Sequence, residues 1–323
     1  MKRRKFLRIA ALTPVAAAML SPIDFAKAQI PPGRPPQGAP QGGFPPRNQG
    51  PAEYIPTGPG IKVRFMGTGG ADWRGQPING EYRRNASILV DGKVIFDLTK
   101  TAVDMIPSDC HPQVIFYTHS HNDHYVPEAA LEVGIKRVYL GETWIDRAKD
   151  DFSKASEKTG KPVPEFIPLK EGQTVTVEGF TVTALPANHA SNYNEEQTLI
   201  YLIEKDSARL LYATDTGGLT ARALGFAGVG QFSRERKFLT GIIMEATMDA
   251  DYAPDQRIFS HSDVDLVNTT VKVLSAGRQY LPVEGQKVYL THLGRTYPPQ
   301  AQIDATLPAP LSAAYDGLEV IFP

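Results

Sequence analysis

From Ile61 onward, short apolar runs of strand type alternate with longer segments of helical spacing. Ile61–Met66, Ala86–Val90 and Lys93–Asp97 read as strands, and Asp91-Gly92 between the last two is the chemistry of a two-residue hairpin turn. Val114–Thr118 is a buried-type run that ends directly in a histidine cluster. Thr174–Ala184 alternates apolar and polar residues, Leu199–Glu204 with Arg209–Thr214 reads as a further hairpin, and Ile242–Met244 and Lys287–Leu290 are buried-type strands. Helical periodicity marks Thr143–Lys158 and Asp263–Leu274. Early hairpins followed by helices between strands predict a mixed α/β domain over residues 61–323, with two sheets in the middle and helices outside.

The first sixty residues follow another pattern. Lys2, Arg3, Arg4, Lys5 and Arg8 precede an apolar run from Ile9 to Leu20, and Ala26-Lys27-Ala28 offers a small-x-small cleavage site. This predicts an export signal over residues 1–28. The run is shorter than the roughly 20 residues that cross a bilayer, so no membrane span is expected after cleavage. Arg-Arg-x-Phe-Leu resembles the twin-arginine signal, which implies the twin-arginine export machinery as a partner and a periplasmic destination. Residues 29–60 hold 17 Pro plus Gly among 32 residues, a composition that predicts a disordered linker.

Charge sharpens the picture. The formal net charge is −1, but residues 1–28 carry six basic side chains and one acid, which leaves −6 on the remainder. That sign gives no electrostatic reason to bind nucleic acid, and a small-molecule substrate is expected instead. The single cysteine, Cys110, excludes a disulfide framework and any multi-cysteine zinc site, and is read as inert.

His119-Ser120-His121-Asn122-Asp123-His124 follows the Val114–Thr118 strand at once. Alternate residues of an extended stretch point to one side, so His119, His121 and Asp123 can converge, with His124 directed to a neighbouring point. His189, Asp215 and His292 each follow another predicted strand, where a rigid sheet can bring them to the same edge. Nitrogen and carboxylate donors at this density suit a borderline divalent ion such as zinc.

This order of residues resembles the metallo-β-lactamase superfamily of dinuclear metal hydrolases. Phe65-Met66-Gly67-Thr68-Gly69-Gly70, Arg84-Asn85-Ala86-Ser87, Ile95-Phe96-Asp97, Glu245-Ala246-Thr247 and His261-Ser262 are similar to the ribonuclease Z and cyclic-phosphodiesterase branch. The resemblance implies an α/β (α+β) four-layer αββα sandwich of two mixed sheets with two divalent ions at one edge, zinc first and manganese or iron as alternatives. It places one ion on His119, His121 and His189, the other on Asp123, His124 and His292, and Asp215 between them. It further implies a hydroxide bridging the ions as nucleophile, oriented by Asp123, with His261 as proton donor and Glu245 supporting it. Arg83, Arg84 and Arg295 are candidates to hold a phosphate or carboxylate.

Two departures from that branch stand out. Only 25 residues separate His189 from Asp215, too few for the long arm that grips tRNA in ribonuclease Z. Leu98-Thr99 follows Asp97 where many relatives have a small or glycine-containing turn. Residues 217–240, with Phe226, Phe232 and Phe238, are read either as a lid over the site or as surface packing. The expected function is an exported metal-dependent hydrolase of small phosphodiesters. A lactonase or other carbon-ester hydrolase is the alternative enzyme, and a metal-bearing accessory protein the non-catalytic one.

Overall fold

The computed structural model describes residues 53–73, 77, 80–230, 233, 236–249 and 256–323. The predicted export signal, the predicted linker up to residue 52 and Phe232 lie outside the described residues. One sheet contains β1 (Ile61–Gly67), β2 (Ser87–Val90), β3 (Val94–Phe96), β4 (Val114–Phe116), β5 (Arg137–Gly141), β6 (Glu165–Leu169) and β14 (Glu319–Phe322), in the order β14-β1-β2-β3-β4-β5-β6. The other contains β7 (Thr174–Val177), β8 (Phe180–Pro186), β9 (Leu199–Lys205), β10 (Ala208–Ala213), β11 (Gly241–Glu245), β12 (Val288–Thr291) and β13 (Leu311–Ala313), ordered β13-β12-β11-β10-β9-β8-β7. Each sheet is antiparallel on one side and parallel on the other, the change falling at β3 and at β10.

The inner faces meet in one apolar core that includes Val63, Phe65, Ile88, Phe96, Phe116, Tyr201, Tyr212 and Phe322. Phe116 stacks on Phe96 and on Tyr139, with ring centroids 5.0 and 4.4 Å apart. Helices α1 (Pro127–Val133) and α2 (Ile145–Thr159) cover the outside of the first sheet. Helices α3 (Ala221–Phe226), α4 (Val264–Ala276) and α5 (Gln300–Thr306) cover the second. The buried residues of α2 (Ala148, Phe152, Ala155) and of α4 (Val264, Val267, Val271, Leu274) fall on one helical stripe, as the sequence periodicity requires. Asp263 caps α4 by accepting from the Leu266 amide at 2.7 Å. This is the predicted four-layer αββα sandwich.

Two details differ from the sequence reading. Thr174–Ala184 is interrupted at Glu178-Gly179, whose φ angles of 51° and 89° fold β7 back on β8 as Asp91-Gly92 folds β2 on β3. The alternation persists across that turn, which is why periodicity alone reads one strand. Packing also begins upstream of Ile61. Tyr54 is buried, its hydroxyl lies 2.9 Å from Ser207 Oγ, and its ring meets Phe238 edge-on at 5.6 Å. A single aromatic anchor inside a Pro- and Gly-rich stretch leaves no trace in composition.

Candidate metal centre

The topology delivers donors to one edge. β3 and β4 are parallel, as are β10, β11 and β12, so their carboxyl ends lie side by side. β8 is antiparallel to β9, which is antiparallel to β10, so β8 ends at that edge too. The chain leaves these strands abruptly. Asp97, Asp215 and His292 have φ angles of 56°, 47° and 52°. A left-handed backbone at a non-glycine residue costs about 1–3 kcal/mol and persists where surrounding contacts enforce it.

Seven side chains meet in two clusters. In the first, His121 Nδ1 stands 2.9 Å from His119 Nε2 and 3.2 Å from His189 Nε2, and Asp215 Oδ2 lies 3.7 Å from both Nε2 atoms. In the second, Asp215 Oδ1 lies 3.2 Å from His124 Nε2 and from His292 Nε2. Asp123 Oδ2 lies 3.4 and 3.2 Å from the same two nitrogens. Asp215 thus presents one oxygen to each cluster. Donors about 2.0–2.1 Å from one tetrahedral zinc ion stand roughly 3.3–3.4 Å apart, and the two clusters bracket that spacing. His124 Nε2 is buried without a hydrogen-bond partner, an arrangement a cation satisfies. The residues fit two divalent ions.

Buried groups behind the histidines fix which nitrogen is free. Asp97 Oδ1 accepts from the Thr118 amide, and Oδ2 from the Thr118 hydroxyl and from His124 Nδ1, all at 2.8 Å. Thr118 Oγ1 in turn lies 2.9 Å from His119 Nδ1. Having given its own proton to Asp97, that hydroxyl accepts from His119. Glu245 repeats the device in the other sheet. It accepts from the Thr247 hydroxyl and the Thr216 amide, and Thr247 Oγ1 lies 2.8 Å from His292 Nδ1. His189 Nδ1 faces the Ser260 carbonyl at 3.0 Å. In each case the Nδ1–H is held by an acceptor, which leaves Nε2 a lone pair for the cluster.

Electrostatics divide the clusters. Burial, reinforced for His119 by His124 and for His121 by His189, lowers the pKa values of His119, His121 and His189, so these imidazoles are neutral donors. Burial acts the same way on His124 and His292, but Asp215 and Asp123 outweigh it and raise both. Burial works against the charge of those two carboxylates, yet the neighbouring histidines hold them well below the usual carboxylate range. Protons in the second cluster occupy the electrostatic place of a cation.

His261 sits beside both clusters. Its ring stacks on His292 (centroids 5.5 Å apart, 8° between planes) and meets His189 at 4.7 Å. Nδ1 lies 3.1 Å from both Glu245 oxygens. Burial lowers its pKa, but Glu245 overcomes this and raises it to about 9 in the metal-free protein.

Arg83 and Arg84 are engaged by groups outside the clusters. Arg83 is buried and donates to Thr68 Oγ1 and the Ala314 carbonyl, both at 2.9 Å, and to Gln300 at 2.5 Å. Arg84 pairs with Asp104 at 2.7 Å and with Asp316 at 3.7 Å. Arg295 is exposed on the turn after His292. Described residues of the 217–240 segment pack on the second sheet: Leu219, Ala223, Ala227 and Val229 join its outer core, and Arg209 donates to the carbonyls of Ala227 and Phe238. Cys110 lies away from the clusters beside Gly92.

Sequence reasoning gave no role to Asp97, Thr118, Thr247 or Glu196. Glu196 anchors the histidine loop by accepting from the Ser120 amide (2.7 Å) and hydroxyl (2.6 Å), and it pairs with Arg147. The only local signal was for Asp97, an acid closing an apolar strand.

Residues 98–235 match a family model described as a beta-lactamase superfamily domain. No curated protein sequence matches the chain. Solved structures that resemble it include human tRNase Z, short form, at 17% identity and TM-score 0.57, covering 81% of this chain and 99% of that one. Zn2+-bound PqqB from Methylobacterium extorquens aligns at 14% identity and TM-score 0.59, covering 80% and 99%. A diphosphatase from the PhnP family aligns at 20% identity and TM-score 0.55, covering 81% and 98%. The chain has the metallo-β-lactamase fold.

Proposed function

We propose that this protein is a hydrolase that cleaves small phosphodiesters with two divalent ions, zinc foremost, held by His119, His121 and His189 on one side and Asp123, His124 and His292 on the other. The observation that carries the reading is His261, an imidazole held by a buried carboxylate and stacked against a metal-ligand candidate. An accessory protein needs the donor clusters but has no use for a proton donor beside them. Ions bound there would supply Lewis acidity and a water acidified toward neutral pH.

The chain's own residues do the rest. Asp215 offers one oxygen to each cluster and offsets the charge gathered there. Asp123, more exposed than Asp215, accepts a hydrogen bond from the incoming water and orients it. Glu245 fixes the proton on His261 Nδ1, so that Nε2 faces the substrate and donates to the leaving oxygen. A diphosphatase and a tRNase Z among the solved relatives of the fold agree with phosphorus–oxygen chemistry, and the zinc in PqqB agrees with the metal. The −6 charge of residues 29–323 and the short 189–215 interval favour a small substrate over tRNA.

The test is hydrolysis of bis(p-nitrophenyl) phosphate by the metal-loaded chain. Turnover should vanish in Asp215→Ala, and hydrolysis of a diester with an alkoxide leaving group, which must take up a proton as it departs, should fall about a hundredfold in His261→Ala. Silence with two ions bound per chain refutes the phosphodiester reading and brings forward lactones or an accessory role. We further propose export through the twin-arginine machinery to the periplasm. Fusing residues 1–28 to a reporter tests this, because export should be lost when Arg3 and Arg4 are both changed to lysine.

A further inference from the structure

We infer that Phe259 sets substrate preference at this site, its ring packing on a planar aromatic group carried by the leaving side of the diester. The inference rests on the phosphodiesterase reading. Phe259 is 78% exposed, more than any other large apolar side chain among the described residues. A lone exposed apolar residue needs no explanation by itself. Its place in the chain supplies one here. Phe259 ends the 3-10 turn Gln256–Phe259; the next residue, Ser260, gives its carbonyl to His189 Nδ1, and the one after is His261.

That segment is held firmly. The Arg257 carbonyl accepts from the amides of Ser260 (2.9 Å) and His261 (2.7 Å). The Phe259–Ser260 backbone passes so close to Gly217 that a Cβ there would come within 3.1 Å of it. Gly217 is itself tied to Asn188, the neighbour of His189, through Asn188 Nδ2 to the Gly217 carbonyl at 2.8 Å. The phenyl ring is therefore presented to solvent from a fixed backbone beside two residues of the centre. In the proposed reaction His261 donates to the leaving oxygen, so whatever that oxygen carries lies at the His261 end of the site, and Phe259 stands two residues from His261 in the chain. Tyr193, on the loop after His189, is also exposed, but Arg147 lies 3.5 Å from its ring centroid and occupies one face. Phe259 has no such partner ring or cation among the described residues.

A phenyl ring has no proton to give, so its contribution is to binding, equal in ground and transition states. With the metal-loaded full chain, phenylphosphonate should inhibit hydrolysis of bis(p-nitrophenyl) phosphate about tenfold more tightly than methylphosphonate. Phe259→Ala should abolish that ratio and raise KM about tenfold with kcat kept, whereas Phe259→Leu should retain part of it. Val273→Ala, at an exposed position of α4, should change neither. A Phe259→Ala protein that turns over and keeps the wild-type inhibitor ratio overturns the inference alone. A wild-type protein with no diester turnover overturns the phosphodiesterase reading, and the inference with it.

Discussion

Replacing Asp97 by asparagine isolates the device that aims His124. The left-handed backbone at residue 97 suits asparagine as well as aspartate, so the substitution adds no strain. Oδ1 still accepts from the Thr118 amide. At the other position an NH2 group replaces the oxygen that faces two donors, the Thr118 hydroxyl and His124 Nδ1–H, each at 2.8 Å. The imidazole then relaxes the clash of donors by moving its proton to Nε2, the atom that faces Asp215 and Asp123. That lone pair is lost to the second cluster. The first cluster is buffered, because Thr118 Oγ1 can still accept from His119 Nδ1. Loss of such an orienting partner costs about 10- to 100-fold in metal affinity, or about 1.4–2.7 kcal/mol. Competition titration against a chromogenic chelator should show the tighter ion within a few-fold of wild type and the weaker one reduced by that factor. In the metal-free protein His124 holds a proton that Asp97 faces from 2.8 Å, so removing this buried charge should also lower the melting temperature by several degrees. Unchanged affinity for both ions would refute the orienting role of Asp97.

With metal removed, the His261 ring nitrogens followed by NMR should titrate near pH 9. The folded-state pKa is raised, so this group's stabilisation is complete below about pH 6.5 and disappears as pH climbs through 9; titration at 6.5 or lower would count against the Glu245 contact. Glu196→Gln keeps one acceptor for Ser120 but loses the charge that pairs with Arg147, itself partly exposed. Denaturant titration should show a loss of about 1–3 kcal/mol, and a neutral result would remove the pair from the forces holding the histidine loop. A Cβ at residue 67 would come within 1.9 Å of the Asn85 carbonyl oxygen, so Gly67→Ala must open the β1–β2 irregularity. Its melting temperature should fall by about 6 °C or more, and a fall under 2 °C would mean that the two strands part easily.

Much of the fold was legible because its signals are local. Asp91-Gly92, the apolar strand before His119, and the stripes of α2 and α4 each lie within a few residues and obey one period or one turn chemistry. The elements missed were β5, β6, β13, β14, α1, α3 and α5, most of them too short to carry a period above chance. The Glu178-Gly179 hairpin escaped because a tight turn preserves the alternation on either side of it.

The centre divides along the same line. His119, His121, Asp123 and His124 announce themselves by spacing, and His189, Asp215 and His292 by each following a strand. The sequence by itself therefore marked out which residues could hold a metal, and that they follow strands. Tertiary structure decided how each is aimed and what else is bound up. Asp97 is 27 positions from His124 and Glu196 is 76 from Ser120, and each pair meets only because the loops leaving their strands converge at one edge of the sandwich. Arg83 looks like an anion ligand in sequence, yet its guanidinium is spent on a carbonyl 231 positions away. Periodicity and turn chemistry act between chain neighbours and can be read along the chain. A buried hydrogen bond depends on strand order and register, which the packing of the whole domain sets.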